Sequence, residues 1–183
     1  LQIMEILKKE KVPATFFVVG QMVKKYPHVL KKLDENGFVI GNHSWSHPLL
    51  TRLKPSDVRR ELEKTNEIIY KTIGKKPLLM RPPYGAYRKV KDVIVQSNMK
   101  IILWNVDTLD WNYRSKEQIM QTVKKQGGPG AIILQHSAGN KGLKETVRAL
   151  PEIIRYYKKK GYQFVTVDEL IYAPAYEKLS LNQ

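Results

Sequence analysis

The chain contains no cysteine, which excludes a disulfide framework and any thiolate metal site and is compatible with export into an oxidising space. It also lacks any apolar run approaching the roughly 20 residues needed to cross a bilayer, and it shows neither internal repeats nor a low-complexity linker. Residue 1 is leucine rather than methionine, and residues 1–11 read as an amphipathic helix without the charged and apolar regions of a signal peptide. The expectation is that the sequence begins partway into a longer protein. Acidic residues are scarce relative to basic ones, with 17 Asp and Glu against 32 Lys and Arg and a net charge of +15. Such a field favours polyanions, so nucleic acid, an anionic membrane face and an acidic cell wall all enter as partners. However, Lys24–Lys25, Lys31–Lys32, Lys124–Lys125 and Lys158–Lys160 lie near predicted helix C-termini, where cations suit the helix dipole. No nucleic-acid-binding motif accompanies them, and nucleic acid is not an expected partner.

What is present fits an ordinary soluble globular protein. The 183 residues are 42% hydrophobic and 27% charged, enough for one domain with a real core, here expected to span residues 1–183. Short apolar runs rich in Val, Ile and Phe at Ala14–Val19, Phe38–Ile40, Leu78–Met80, Ile101–Val106, Ala131–Leu134 and Phe164–Val167 read as six strands buried on both faces. Helical patterns lie between them: Val23, Leu30 and Leu33; Val58, Leu62, Thr65 and Ile69; Ile119 and Val123; and Val147, Leu150, Ile153, Ile154 and Tyr157. They stop at Gly37, Gly74, Gly127 and Gly161, in the manner of helix C-termini. Ser115 and Gln118 stand at capping-box spacing, Pro55 suits a first turn, and Pro151 predicts a kink or a fresh helix start. Strands alternating with helices specify an α/β fold with a mainly parallel sheet, either open or closed. His43, Arg81, Asp107 and His136 each fall at or just past the C-terminal end of a different predicted strand. That placement favours a barrel, whose catalytic groups gather at this end of the strands.

Four segments carry side chains with chemistry. His43 and His47 bracket Ser44-Trp45-Ser46; if this segment turns helically, both imidazoles face the same way and can share one metal, leaving positions open for water and substrate. The bland alternative is a pair of loop histidines that only form hydrogen bonds. Arg81-Pro82-Pro83-Tyr84-Gly85 delivers a guanidinium from a stiffened turn, suited to clamping a carboxylate or to a rim salt bridge. Asp107-Thr108-Leu109-Asp110-Trp111 offers two carboxylates that can orient a histidine or arginine and an indole that can pack on a sugar face, or else an acidic turn closed by a buried Trp. Leu134-Gln135-His136 ends a strand with an imidazole, a natural general acid for a leaving amine. His28, at the start of a predicted helix, reads as a surface residue.

In this order the four segments, with Ala14-Thr15-Phe16-Phe17 as a strand, resemble the polysaccharide deacetylase family, also called the NodB-homology domain or carbohydrate esterase family four. The resemblance runs from about residue 1 to about residue 171 and is closest to peptidoglycan N-acetylglucosamine deacetylases. It implies a distorted (β/α)₇ barrel whose first strand is absent from this sequence. It implies that His43 and His47 hold a divalent metal, commonly Zn²⁺ with Co²⁺, Mn²⁺, Ni²⁺ or Fe²⁺ as alternatives, and that His136 protonates the departing sugar amine. By the same resemblance Arg81 steers a catalytic aspartate, Asp110 tunes Arg81 or His136, the Tyr84 amide donates to an oxyanion, and Trp111 and Leu134 line the acetyl pocket.

The implied partner is an acetylated amino-sugar polymer, peptidoglycan or chitin, met outside the cell or in the wall. One departure stands out: the family's Thr-Phe-Asp-Asp-Gly strand, source of the base aspartate and of a third metal ligand, has no counterpart here. The expectation is that an upstream segment carries it, together with a possible membrane tether, and that the present sequence alone has little deacetylase activity. The rival is a catalytically inactive glycan-binding homologue.

Overall fold

The computed structural model describes residues 1–139 and 143–178, and the chain gathers into two compact units. Of the described residues, one unit holds 15–103 and 166–178; the other holds 1–14, 104–139 and 143–165.

The first unit is built on a four-stranded sheet of β1 (Thr15–Val18), β2 (Val39–Asn42), β3 (Leu79–Met80) and β4 (Lys100–Ile101), in that spatial order. Every pairing is parallel, so each connection must cross over and does so through helix. Helices α2 (Gly20–Lys25) and α3 (Pro27–Glu35) join β1 to β2. The single helical pattern read through Val23, Leu30 and Leu33 is thus two helices. The break falls at Tyr26, at φ −131° and ψ 57°, because the ring of Pro27 disfavours helical conformation in the residue before it.

Helix α4 (Pro55–Ile73) joins β2 to β3, with Pro55 in its first turn as expected. It buries Val58, Leu62, Thr65, Asn66 and Ile69. Val58 and Leu62 pack with Leu50, Met80, Val90, Ile94 and Met99 in one apolar cluster. Helix α5 (Lys91–Gln96) contributes Ile94 to it and leads into β4.

The last expected strand, Phe164–Val167, is not one. Residues 163–166 carry no strand assignment, and Val167 opens the short helix α8 (Val167–Leu170). Two local interactions account for this. Thr166 and Glu169 form a reciprocal capping box, and the Val167 amide donates to Thr15 Oγ1 at 3.0 Å instead of to a ladder.

The second unit pairs β5 (Val106–Asp107) with β6 (Ile133–Leu134), again in parallel. The run Ile101–Val106, read as one strand, therefore supplies parts of two, β4 and β5. Helix α6 (Lys116–Gln126) starts on the Ser115–Gln118 capping box. Helix α7 (Leu143–Lys159) continues through Pro151 as one element, so of the kink or fresh start expected there the fresh start does not occur. Proline removes one helix hydrogen bond, and burial of Ala149, Leu150, Ile153, Ile154 and Tyr157 holds the helix across the gap. Helix α1 (Gln2–Glu10) packs on α7 and buries Met4 and Leu7. The core of this unit joins Val106, Ile119, Met120, Val123, Ala149, Ile153 and Tyr157. Among the described residues, no helix is long and apolar enough to cross a membrane.

Three of the four glycine stops, Gly37, Gly74 and Gly161, are left-handed as read. Gly127 is extended instead, at φ −79° and ψ 147°, and its requirement is for space. A Cβ there would lie 1.5 Å from the Tyr157 hydroxyl oxygen, which donates to the Val123 carbonyl at 3.2 Å. Gly127→Ala is therefore expected to destabilise the protein by about 1–3 kcal/mol, the usual cost of overpacking. Gly128→Ala, whose Cβ meets nothing within 4 Å, should leave the urea midpoint nearly unchanged.

Candidate active site

In the first unit the four site residues follow strand ends. His43 follows β2 directly, and its amide donates to the Val18 carbonyl at 3.0 Å, extending the pairing with β1 by one bond. The loop beyond is not helical: Ser44 and His47 are both left-handed, at φ 67° and 60°. The two imidazoles nonetheless meet, with ring centroids 4.8 Å apart. The i, i+4 spacing thus brings the rings together by a different route from the helical turn read in the sequence. His43 Nδ1 lies 2.6 Å from the Arg81 carbonyl oxygen. A carbonyl only accepts, so Nδ1 carries the hydrogen and Nε2 bears the lone pair. Among the described residues, no group of three His, Cys, Asp or Glu is arranged to hold a metal; the histidines form a pair.

The histidine loop is fixed from several sides. The α2 amides of Gly20 and Gln21 donate to the carbonyls of Ser44 and Trp45 at 2.9 and 3.0 Å. Buried Asn42 accepts from the Ser44 amide at 2.8 Å and donates to the Leu62 carbonyl and to Asn66 Oδ1 at 2.9 and 2.8 Å. Asn66 in turn donates to the Pro77 carbonyl at 3.0 Å. The Ser44 hydroxyl accepts from the His47 amide at 3.0 Å, and Glu61 of α4 accepts from the 45–46 backbone.

Arg81 follows β3 and is buried. Its guanidinium donates to the carbonyls of Ile102 and Leu103 at 3.3 and 3.0 Å and lies over the Phe17 ring, 4.4 Å from the centroid. Burial lowers its pKa to about 10, which still leaves it charged at neutral pH. Tyr84 sits in the 3₁₀ turn Pro83–Gly85 at φ 60° and ψ 10°. Its ring is exposed and stands 4.9 Å from that of His47.

The second unit holds the other four. Thr108 donates to the Leu134 carbonyl at 2.7 Å, tying together the ends of β5 and β6. Asp107 accepts from the Leu109 amide at 2.9 Å, so its carboxylate closes its own turn. Left-handed Leu109 and Tyr113 flank a 3₁₀ turn, Asp110–Asn112, that buries Asp110 fully and leaves Trp111 half exposed.

Asp110 is paired with His136: Oδ1 accepts from His136 Nδ1 at 2.7 Å, while Oδ2 accepts from the His136 amide and the Thr146 hydroxyl, each at 2.8 Å. Burial alone would raise the carboxyl's pKa. The hydrogen bonds from the His136 ring, the His136 amide and Thr146 outweigh it, and Asp110 is held below the ordinary carboxylate value. His136, one of the two partners that the resemblance implied for Asp110, is bonded to it in the structure. Leu134, two residues before His136, is buried, and the His136 side chain stays 38% exposed.

Sequence reading missed Glu61, Asn42, Asn66 and Thr146. Asn66 could have been found, because a polar residue four positions after Leu62 falls in the buried phase of α4. Glu61 and Thr146 act through contacts 15 and 36 residues away and leave no local signal.

The α/β architecture is shared with known proteins. A family model described as Polysaccharide deacetylase matches residues 1–102. The peptidoglycan-N-acetylmuramic acid deacetylase PdaC of Bacillus subtilis is 42% identical over 92% of this chain, and the chain spans 35% of that protein's length. The crystal structure of the Bc1960 peptidoglycan N-acetylglucosamine deacetylase superposes with a TM-score of 0.91 at 37% identity, covering 96% of this chain and 83% of that one. BA3943 of Bacillus anthracis, described as a pseudoenzyme of carbohydrate esterase family four, superposes with a TM-score of 0.86 at 34% identity, covering 93% and 59%. The chain belongs to the polysaccharide deacetylase family, and its α/β fold is the one these solved structures share.

Proposed function

We propose that this chain takes part in metal-assisted hydrolysis of N-acetyl groups from the N-acetylglucosamine units of a polysaccharide, peptidoglycan first and chitooligosaccharide second. The observation that carries this reading is the histidine pair, two rings 4.8 Å apart with His43 oriented by the Arg81 carbonyl. His43 and His47 would hold the divalent cation, zinc in the first instance and Co²⁺, Mn²⁺, Ni²⁺ or Fe²⁺ as alternatives. Two imidazoles suit such borderline ions and leave positions open for water and substrate. When bound, the cation supplies Lewis-acid polarisation of the acetamide carbonyl and a lowered pKa for water.

The chain's own groups supply the rest. His136, oriented by Asp110 through Nδ1, offers Nε2 as the atom that gives a proton to the leaving amine. Left-handed Tyr84 would present its amide to the developing oxyanion. Leu134 and Trp111 would give the acetyl group and sugar ring apolar contact. Arg81, with its guanidinium held in place by the Ile102 and Leu103 carbonyls, would orient a carboxylate base. The reaction places the protein's work at the cell wall, which fits the peptidoglycan deacetylase names of its relatives.

A second reading, glycan binding without turnover, draws on the BA3943 pseudoenzyme neighbour and on the absence of a third ligand beside His43 and His47 among the described residues. Acetate release from N-acetylated chitooligosaccharide and peptidoglycan fragments separates the two. In a form of the protein that carries the family's Asp-Asp strand, with zinc restored after chelator stripping, deacetylation is expected, and His43→Ala and His47→Ala should each abolish zinc retention and release together. Glycan binding without any acetate release would favour the second reading.

A further inference from the structure

We propose that Glu61 is the positioning residue that keeps the His43–His47 loop ready for its metal ion, an inference that rests on the metal reading above. Three donors from two consecutive loop residues converge on this one carboxylate. Oε2 accepts from the amides of Trp45 and Ser46 at 2.9 and 2.8 Å, and Oε1 accepts from the Ser46 hydroxyl at 2.9 Å. These donors lie between the two histidines, in a segment with no helical or strand bonding of its own. The backbone on either side of them is left-handed, at Ser44 and at His47. A non-glycine residue in that region is held there only when surrounding contacts over-determine it.

Glu61 is well placed to do so because it rides on a rigid support. It precedes Leu62 of α4, which is buried and whose carbonyl receives Asn42; Asn42 is the last residue of β2, immediately before His43. The same helix therefore grips the loop at its root through Leu62 and Asn66 and at its crown through Glu61. The crown contact decides how the chain re-enters His47, whose ring must meet that of His43. A carboxylate suits the task because it only accepts, at two oxygens, and all three loop groups can donate. Trp45 completes the packing: its ring lies under the Lys64 ammonium, 4.0 Å from the centroid, one turn along α4 from Glu61.

The test is zinc affinity of the 183-residue protein, measured by competition with a chromophoric chelator, together with the visible spectrum of the Co²⁺-loaded form, which reports ligand geometry. Glu61→Ala is expected to weaken zinc binding at least tenfold, the scale found when groups that orient metal ligands are removed, and to change the Co²⁺ spectrum at an unchanged melting temperature. Glu61→Gln keeps one oxygen for the two amides and an NH₂ group that can donate to the Ser46 hydroxyl, so it should restore most of the affinity. Glu63→Ala, which removes a like charge from an exposed position on the same helix, should change nothing. Should Glu61→Ala fold poorly, Ser46→Ala, which removes the Oε1 bond alone, is expected to weaken zinc binding to a smaller degree. Zinc affinity and Co²⁺ spectra identical in wild type, Glu61→Ala and Ser46→Ala would overturn the proposal and leave the metal reading standing. Failure of the wild type to bind zinc would overturn both.

Discussion

In a form of the protein that carries the family's Asp-Asp strand, His136→Ala is expected to lower turnover of an N-acetylated substrate by about 10²–10⁴-fold, the usual loss on removing an acid–base group, with zinc content unchanged. Expulsion of an amine from a tetrahedral intermediate requires a proton on nitrogen, and few groups here can give one. Arg81 holds its proton too firmly, with a pKa of about 10. The Nδ1 hydrogen of His43 is engaged by the Arg81 carbonyl. His136 is placed differently. Its Nδ1 faces a carboxylate that is held ionised, which commits that nitrogen to donating and leaves Nε2 to exchange protons. Zinc content is measured by elemental analysis beside the acetate assay. Loss of zinc from His136→Ala at undiminished stability would make His136 a ligand and sink the assignment.

The second large effect is on stability. Asp110 is fully buried and accepts three hydrogen bonds, from the His136 ring, the His136 amide and the Thr146 hydroxyl. Bonds to a charged acceptor contribute more than neutral ones, and removing the carboxylate also leaves buried donors unmet. Asp110→Ala is therefore expected to lose on the order of 3 kcal/mol at pH 7, read as a shift in the urea midpoint.

The pH dependence follows from the direction of the carboxyl's shift. Its folded pKa lies below the ordinary value of about 3.9 for an unfolded chain. Its contribution is thus fully present above about pH 4 and disappears as the pH falls through the lower folded value. The wild-type stability curve should lie above that of Asp110→Asn at about pH 5, and the two should approach one another below about pH 3.5. A gap that stays constant down to pH 2.5 would show that the charge of Asp110 is not what stabilises the fold.

The α/β alternation was legible because a buried parallel strand leaves a short, unbroken apolar run, as Leu79 and Met80 do. Such a run does not show where pairing stops. Ile101 through Val106 is apolar except at Asn105, yet only its ends are paired, Ile101 with Met80 and Val106 with Ile133. The misreading at Phe164–Val167 was avoidable, since Thr166 and Glu169 stand at capping-box spacing in the sequence. There the apolar, β-branched composition outweighed a polar cue that the backbone obeys.

Spacing likewise paired His43 with His47 while hiding the conformation that pairs them. Two left-handed residues replace the helical turn, held by Asn42, Glu61 and the start of α2. Side chains that act within their own segment could be found by eye. Thr146 and Glu61, which complete a partner's hydrogen bonds across the fold, could not.

The left-handed residues also bear on attempts to make the protein more heat-resistant. Eight non-glycine residues adopt positive φ among the described residues, and five of them, Ser44, His47, Tyr84, Leu109 and Tyr113, lie in or beside the segments of the candidate active site. An engineer surveying the backbone would mark these positions for glycine, which relieves about 1 kcal/mol of strain wherever the left-handed region is enforced. Lys11, Asn98 and Tyr172 are the places to take that gain. At the other five, thermostability and catalytic competence pull in opposite directions, because a glycine that lowers the energy of the folded loop also releases it to explore conformations in which the reactive groups point elsewhere.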